Sequence, residues 1–173
     1  MQIKVLQLGY LQTNCYLLIS NNKILLIDPA DDFDIIKKNL LGLELVGVIV
    51  THHHPDHIGA LQSVLKEYDV KLFDFYNLKE GINKIDNFEF EIISTPGHTS
   101  DSITIYFEKE KIMFVGDFIF KNSIGRTDLP TGSYRHMLSS INKLKQYPNV
   151  KIYSGHGEST TLEYEKKYNE LFK

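Results

Sequence analysis

Four of the seven histidines in this chain lie in one short segment, THHHPDH at residues 51–57, directly after the apolar run LVGVIV at 45–50. A solvated turn could carry such residues, but imidazole and carboxylate groups are also the donors that zinc and related ions take in proteins. Side chains two residues apart in extended backbone point in the same direction. The spacing therefore predicts that His52 and His54 can share one metal ion and that His53 points elsewhere.

The same segment offers a second group of donors. Pro55 ends the extended run, and Asp56 and His57 open the next helix, where side chains point in a new direction. The pattern H-x-H-x-D-H therefore offers two sets of ligands rather than one.

Three later candidates each follow an apolar run: His98 after EIISTPG, Asp117 after IMFVG and His156 after KIYSG. In layered α/β folds, sites collect beyond the carboxyl ends of strands. His98 can complete the first set, His156 can complete the second, and the Asp117 carboxylate can bridge both. The predicted metal ligands are His52, His54, Asp56, His57, His98, Asp117 and His156.

The charge of this donor set suits two divalent ions. Two such ions bring four positive charges, Asp56 and Asp117 supply two negative ones, and the imidazoles are neutral. A shared hydroxide leaves about one positive charge for an oxyanion, and paired ions about 3.5–4 Å apart lower the pKa of water to about 7. We therefore predict catalysis by Asp56, Asp117 and a metal-bridging hydroxide, with zinc expected and iron or manganese possible.

The remaining pattern predicts strands with helices between some of them, in a layered α/β domain. The predicted strands are 3–8, 15–20, 23–28, 45–50, 70–75, 88–94, 102–107, 111–116 and 150–155. Helical periodicity begins at Phe33 and recurs over 56–68, 134–147 and 161–172. The first three strands run without helices, which argues against a purely doubly wound sheet.

Composition excludes several classes of protein. A net charge of −3, with basic residues spread along 173 residues, gives no basis for nucleic-acid binding. The single cysteine, Cys15, cannot form an internal disulfide and is expected to be buried. No signal-peptide pattern or long apolar run is present, so we expect a cytoplasmic protein that does not bind membranes, with its oligomeric state open.

Four motifs resemble those of the metallo-β-lactamase superfamily: THHHPDH at 51–57, PGHT at 96–99, VGD at 115–117 and SGHG at 154–157. The resemblance implies an αββα sandwich, in which two mixed sheets pack together with helices on the outer faces. It also implies how the ligands divide and gives Asp28 the role of a hydrogen-bond anchor for the histidine loop. The implied first metal takes His52, His54 and His98, the second takes Asp56, His57 and His156, and Asp117 bridges them.

The segment GRTDLPTG at 125–132 resembles a loop of glyoxalase II (hydroxyacylglutathione hydrolase) and of persulfide dioxygenases. Only 17 residues follow His156, so we expect one domain over 1–173, without a helical substrate-binding extension. The resemblance implies a short glyoxalase II-like hydrolase that cleaves a small acyl thioester, such as a hydroxyacylglutathione. The alternatives are a mononuclear iron persulfide dioxygenase and a lactonase or phosphodiesterase on the same scaffold.

Residues near the predicted site could contact the substrate. Lys121 is placed to bind a substrate carboxylate, and Phe118 and Phe120 are expected to line the pocket. Arg126 and Tyr134 are further candidate substrate contacts, although Arg126 is also expected to pair with Asp128 and Tyr134 to pack on the surface.

Overall fold

The computed structural model describes residues 1–172, and the first half of the chain builds a five-stranded sheet in the order β1-β2-β3-β4-β5. The first three strands form antiparallel hairpins, whereas β3, β4 and β5 are parallel. Asn21 and Asn22 form the predicted tight turn between β2 and β3, both at positive φ, which asparagine tolerates. The strands are β1 (Gln2–Leu8), β2 (Thr13–Ser20), β3 (Lys23–Ile27), β4 (Glu44–Ile49) and β5 (Leu72–Phe73).

Three helices, α1 (Phe33–Leu40), α2 (Pro55–Ile58) and α3 (Leu61–Tyr68), accompany this sheet. The single helix predicted over 56–68 is wrong, because it is interrupted after Ile58. The amide of Ala60 donates to the carbonyl of Pro29 instead of continuing the helical ladder. A Cβ at Gly59 would lie 2.3 Å from the Ala30 carbonyl oxygen, so this break brings two backbone segments into close contact.

The second half of the chain builds a six-stranded sheet in the order β13-β12-β9-β8-β7-β6. Its β9 and β12 are parallel, and its other neighbours are antiparallel. The elements of this half are β6 (Gly81–Ile85), β7 (Phe88–Ser94), β8 (Ile103–Phe107), β9 (Ile112–Gly116), β10 (Ile119–Phe120), β11 (Ser123–Ile124), α4 (Tyr134–Leu144), β12 (Lys151–Ser154), β13 (Thr160–Thr161), α5 (Leu162–Tyr168) and a 3-10 turn (Glu170–Phe172).

The two sheets pack face to face through their apolar side chains, and helices cover the outer faces. Between the sheets, Leu18 and Leu25 of the first sheet meet Ile105 and Phe114 of the second. On the outer face of the second sheet, α4 contributes Met137, Ile141 and Leu144 to a further apolar cluster. On the outer face of the first sheet, α1 and α3 contribute Ile36, Leu40, Leu61 and Val64. The predicted αββα sandwich is confirmed.

Within residues 1–172, none of the helices combines the length and apolar character that crossing a membrane requires. Cys15 is fully buried in the core, as expected, and burial raises the pKa of its thiol well above the ordinary range. A buried thiol with a raised pKa is a poor nucleophile.

Candidate metal centre

The seven predicted ligands meet at one end of the sandwich, where strands from both sheets finish. His52 and His54 follow β4, and Asp56 and His57 lie in α2. The other three follow β7, β9 and β12, which run in the same direction and so end at the same edge. Three overlapping groups keep their donor atoms within 4.8 Å: His52, His54 and His98; Asp56, His57 and His156; and His52, His57 and Asp117.

The first two groups match the predicted ligand sets, and the third joins them. Asp117 lies between the sets, with Oδ1 3.2 Å from His57 Nε2 and Oδ2 3.6 Å from His98 Nε2. Its Oδ2 is also 3.5 Å from His156 Nε2. This central carboxylate is in the position that a bridging ligand requires.

Hydrogen bonds from outside the cluster fix the orientation of three imidazoles. Nδ1 of His98 lies 2.7 Å from the carbonyl oxygen of Arg126, and Nδ1 of His156 lies 3.1 Å from that of Leu11. A carbonyl can only accept, so each Nδ1 carries the hydrogen and each neutral ring keeps a lone pair on Nε2. The Nε2 of His98 then faces Nδ1 of His54 at 2.9 Å.

Asp28 orients the third imidazole, that of His57. Its Oδ2 lies 2.8 Å from Nδ1 of His57, while Thr51 donates to the same carboxylate through its backbone amide and its hydroxyl, each at 2.7 Å. Asp28 has φ of 51°, in the left-handed region that aspartate tolerates better than most residues. The anchoring role that the resemblance implied for Asp28 is confirmed in its geometry.

The donor set fits a divalent metal. Among the described residues, three buried side-chain nitrogen or oxygen atoms lack a hydrogen-bond partner, and all belong to this cluster: His52 Nε2, His57 Nε2 and Asp117 Oδ1. Leaving such an atom unsatisfied costs about 1–3 kcal/mol, so their convergence needs a compensating ligand. Gly155 lets the chain pass beside them, because a Cβ there would lie 2.2 Å from Asp117 Oδ1.

The carboxylates draw positive charge into the cluster. Burial would lower the pKa of His57, but Asp28 and Asp117 outweigh it and raise that pKa to about 10. Hydrogen bonds to Asp117 and Asp56 raise the pKa of His156 to about 9. Burial, and then the charge of His57, holds the pKa of His52 well below its ordinary value. A metal ion bound here would replace the protons as the positive charge, so its affinity would depend on pH.

The same interactions keep the two carboxyl groups ionised. Burial opposes ionisation of Asp56 and Asp117, but hydrogen bonds to His156 and the nearby His57 outweigh it, so both pKa values lie below the ordinary range. Thr13 adds a hydrogen bond at 3.0 Å from its hydroxyl to Asp56 Oδ2. Sequence reasoning missed Thr13, because 43 residues separate it from Asp56 and no motif marks it.

His53 points away from the cluster, as predicted. Its Nδ1 lies 2.6 Å from Asp101 Oδ2 and its Nε2 lies 3.3 Å from Asp74 Oδ2. The remaining histidine, His136, is exposed on α4. In the part of the chain that the structure describes, five histidines therefore lie in the cluster, and His53 and His136 lie outside it.

A cavity of about 570 Å³ opens onto the metal centre. Lys121 and Arg126 line it, with Lys121 paired with Glu158 at 2.8 Å. Arg126 pairs with Asp128 through two hydrogen bonds, as expected. Phe120 also lines it. The expectation that Phe118 lines the pocket is wrong, because Phe118 is fully buried in the core. Tyr134 lies exposed at the start of α4, as expected for surface packing, and within residues 1–172 it is outside the cavity lining that a substrate contact would require. The cavity lining comprises His98, Asp117, Phe120, Lys121, Ser123, Ile124, Gly125, Arg126, His156, Gly157 and Glu158.

Phe118 does not reach the cavity because its side chain packs with Met137 and Ile141 beneath the second sheet. Its neighbour two residues on, Phe120, lies in β10 beside His156, with ring centroids 6.2 Å apart. The contribution of Arg126 also differs from a simple side-chain contact, because its backbone carbonyl accepts the hydrogen bond from His98.

Comparison with known proteins identifies the family to which this chain is similar. The sequence model of the Metallo-beta-lactamase superfamily matches residues 8–78 and 77–156. The chain is 30% identical to "Hydroxyacylglutathione hydrolase GloC" of Haemophilus influenzae, over 98% of this chain and 97% of that protein.

Solved structures show the same relationship. The crystal structure of BLEG-1 B3 metallo-beta-lactamase superposes with a TM-score of 0.93 at 29% identity, covering 99% of each chain. The structure of ETHE1 from Myxococcus xanthus superposes with a TM-score of 0.88 at 26% identity, covering 98% of this chain and 84% of that one.

Proposed function

This chain belongs to the metallo-beta-lactamase superfamily and is a metal-dependent hydrolase, and on that premise we propose that it uses two divalent ions to cleave a small acyl thioester. One observation carries the proposal: two sets of donors share a central carboxylate, Asp117, beside buried nitrogen and oxygen atoms that have no other partner. We assign His52, His54 and His98 to one ion and Asp56, His57 and His156 to the other.

Divalent ions in such a pair lower the pKa of water and stabilise negative charge on an attacked carbonyl oxygen. The chain's own residues prepare that chemistry. Asp28 keeps the hydrogen of His57 on Nδ1. The carbonyls of Leu11 and Arg126 do the same for His156 and His98, so the lone pair of each Nε2 is available to a metal ion. No protein nucleophile is required, and the buried thiol of Cys15 is unavailable as one.

The cavity supports a thioester with an anionic group. Phe120 and Ile124 give it an apolar wall, while Lys121 and Arg126 place positive charge at the opening. A thiolate is a weaker base than an amine and leaves a tetrahedral intermediate without prior protonation. This reduces the need for a general acid. We propose that Lys121 binds a carboxylate of the substrate in exchange for its exposed pairing with Glu158.

Support for the thioester over other substrates comes from the relatives. The similarity to a hydroxyacylglutathione hydrolase extends over nearly the whole of both chains. The structural similarity to ETHE1 fits the alternative of an iron persulfide dioxygenase, and the similarity to a B3 metallo-beta-lactamase requires that a β-lactam be tested as well.

The test combines elemental analysis of the purified chain with a panel of substrates. We expect two divalent ions per chain, zinc foremost, and hydrolysis of S-lactoylglutathione in preference to a lactone, bis-p-nitrophenyl phosphate and a β-lactam. Oxygen uptake is measured in parallel with glutathione persulfide. One iron per chain with oxygen consumption would overturn the hydrolase proposal. His136→Ala, on an exposed histidine of α4, serves as the control for the histidine variants.

A further inference from the structure

Helix α5 contains a fully buried carboxylate, Glu165, which belongs to none of the ligand sets. Its Oε1 accepts a hydrogen bond of 2.5 Å from the Thr160 hydroxyl. Its Oε2 accepts from the Asn122 backbone amide at 3.0 Å and from Asn169 Nδ2 at 2.8 Å. All three donors are uncharged. These hydrogen bonds compensate for the burial of this polar side chain.

Two of these interactions reach the wall of the cavity. Asn122 lies in the turn between β10 and β11, at φ of 62°, and its amide points at Glu165. Asn169, at the end of α5, donates a second hydrogen bond to the carbonyl of Ser123 at 3.0 Å. Helix α5 and its C-cap residue therefore hold the turn at two adjacent residues.

The hairpin is very short, so contacts outside its own ladder help to hold it, among them the hydrogen bond of 2.5 Å from the Ser154 hydroxyl to the Ile119 carbonyl. Its ladder has two residue pairs, Ile119 with Ile124 and Phe120 with Ser123. An isolated two-stranded hairpin is at best marginally stable in water, even when it is longer than this. The hairpin nevertheless supplies Phe120, Lys121, Ser123 and Ile124 to the cavity lining.

We propose that Glu165 and Asn169 are positioning residues for substrate recognition: they fix the 119–124 hairpin so that Lys121 and Phe120 face the bound substrate. The inference rests on the proposed function, because it assumes that the substrate occupies this cavity. The proposed metal ligands lie outside residues 119–124. Glu165 and Asn169 therefore control substrate binding with little effect on the metal centre.

The test compares Glu165→Ala with Glu165→Gln. Alanine removes the acceptor of the Thr160 hydroxyl and of the Asn122 amide, and one of the two acceptors of Asn169 Nδ2. Glutamine can still accept from Asn122 and Asn169 while its amide donates to the Thr160 hydroxyl, so it is the conservative rescue. Glu163→Ala, on the exposed side of the same helix, is the matched control. A second disrupting variant, Asn169→Ala, removes the bond to Ser123 without touching the Glu165 bonds to Asn122 and Thr160.

Three quantities are measured on the metal-loaded chain: hydrogen exchange of the peptide covering 119–124, metal content, and KM and kcat for S-lactoylglutathione. For Glu165→Ala we expect exchange in that peptide and KM both to rise about 10-fold, which corresponds to about 1.4 kcal/mol. We expect kcat to change less than about 3-fold and metal content to stay constant, since groups that bind ground state and transition state alike affect KM. Asn169→Ala follows in the same direction, and Glu165→Gln and Glu163→Ala stay near the parent.

Faster exchange in the hairpin with an unchanged KM would overturn the proposal, as would a uniform rise in exchange along the whole chain in both disrupting variants. Failure of the proposed function gives a different result. In that case the parent chain hydrolyses no thioester, and KM is measured for whichever member of the substrate panel is turned over. Unchanged hydrogen exchange of 119–124 in Glu165→Ala still refutes the positioning role of Glu165.

Discussion

The hydrogen bond between Asp28 and His57 provides the sharpest test of the proposed metal centre. In Asp28→Asn the side-chain shape is kept, and the amide oxygen can still accept from the Thr51 backbone amide. The new amide group then faces Nδ1 of His57, where two hydrogen-bearing nitrogens would oppose each other at the present 2.8 Å. The conflict is relieved when the imidazole moves its hydrogen to Nε2, the atom that the proposed metal needs.

The expected magnitude follows from this change of tautomer. Loss of an outer hydrogen-bond partner of a metal-binding histidine typically costs about 10–100-fold in metal affinity. We expect Asp28→Asn to lie at the upper end, near 100-fold or about 2.8 kcal/mol, because the amide also opposes the required tautomer. His57 is fully buried, so water cannot replace the lost acceptor.

Competition with a zinc-binding chromophore gives the affinity of the Asp28→Asn chain for the more weakly bound of its two ions. Elemental analysis gives the number of ions bound per chain. Asp34→Asn, on the exposed face of α1, makes the same chemical change away from the site and should leave affinity unchanged. Thermal unfolding of both metal-free variants shows whether Asp28→Asn remains folded. If the folded Asp28→Asn chain binds both ions as tightly as the parent, His57 is not a ligand through Nε2, and the assignment of the second metal fails.

Four further outcomes are expected. Asp117→Ala should lose bound metal and nearly all hydrolysis, measured by elemental analysis and S-lactoylglutathione turnover; two retained ions would contradict the bridging role. His53→Ala should keep its metal content whereas His57→Ala should not, and a large loss in His53→Ala would mean that the inward-facing histidines were misassigned. Lys121→Ala should raise KM for an anionic thioester about 2- to 5-fold, the range of an exposed charge pair, and an unchanged KM would remove Lys121 from the substrate contacts. Removal of metal by a chelator should lower the melting temperature and added zinc should restore it, because ions that bind only the folded state stabilise it; an unchanged melting temperature would argue against a built-in metal site.

The arrangement of the ligands could be predicted because it follows from local rules. Five of the seven candidates follow the end of a strand and two open the next helix, and the alternation of side chains in extended backbone separates His52 and His54 from His53. The shared direction of β7, β9 and β12 then brings distant ligands to one edge. Only the shared direction of the strands depends on pairing between residues remote in sequence, and the general rule that sites collect beyond the carboxyl ends of strands anticipates its result.

The errors arise where tertiary contacts override local pattern. The apolar periodicity of 56–68 is continuous, yet Ala60 bonds to Pro29 and divides the helix, because the loop after β3 passes close to Gly59. The strands β6, β10, β11 and β13 were not predicted. For β10, β11 and β13 the reason is that two residues are too few to show alternation. Asp101 and Asp74 gave no sign of their contact with His53, because each is too distant in sequence to be paired with it by any motif.

This difference in predictability reflects how the molecule divides its tasks. The proposed metal ligands follow strand ends of two sheets that share one apolar core, so the packing of that core fixes their relative positions. The cavity wall is attached to a hairpin with two residues in each strand, whose position depends on Glu165 and Asn169. Substitutions around α5 can therefore change which substrate is bound while the ions and the attacking water stay in place, whereas substitutions at Asp28 or Asp117 affect every substrate alike.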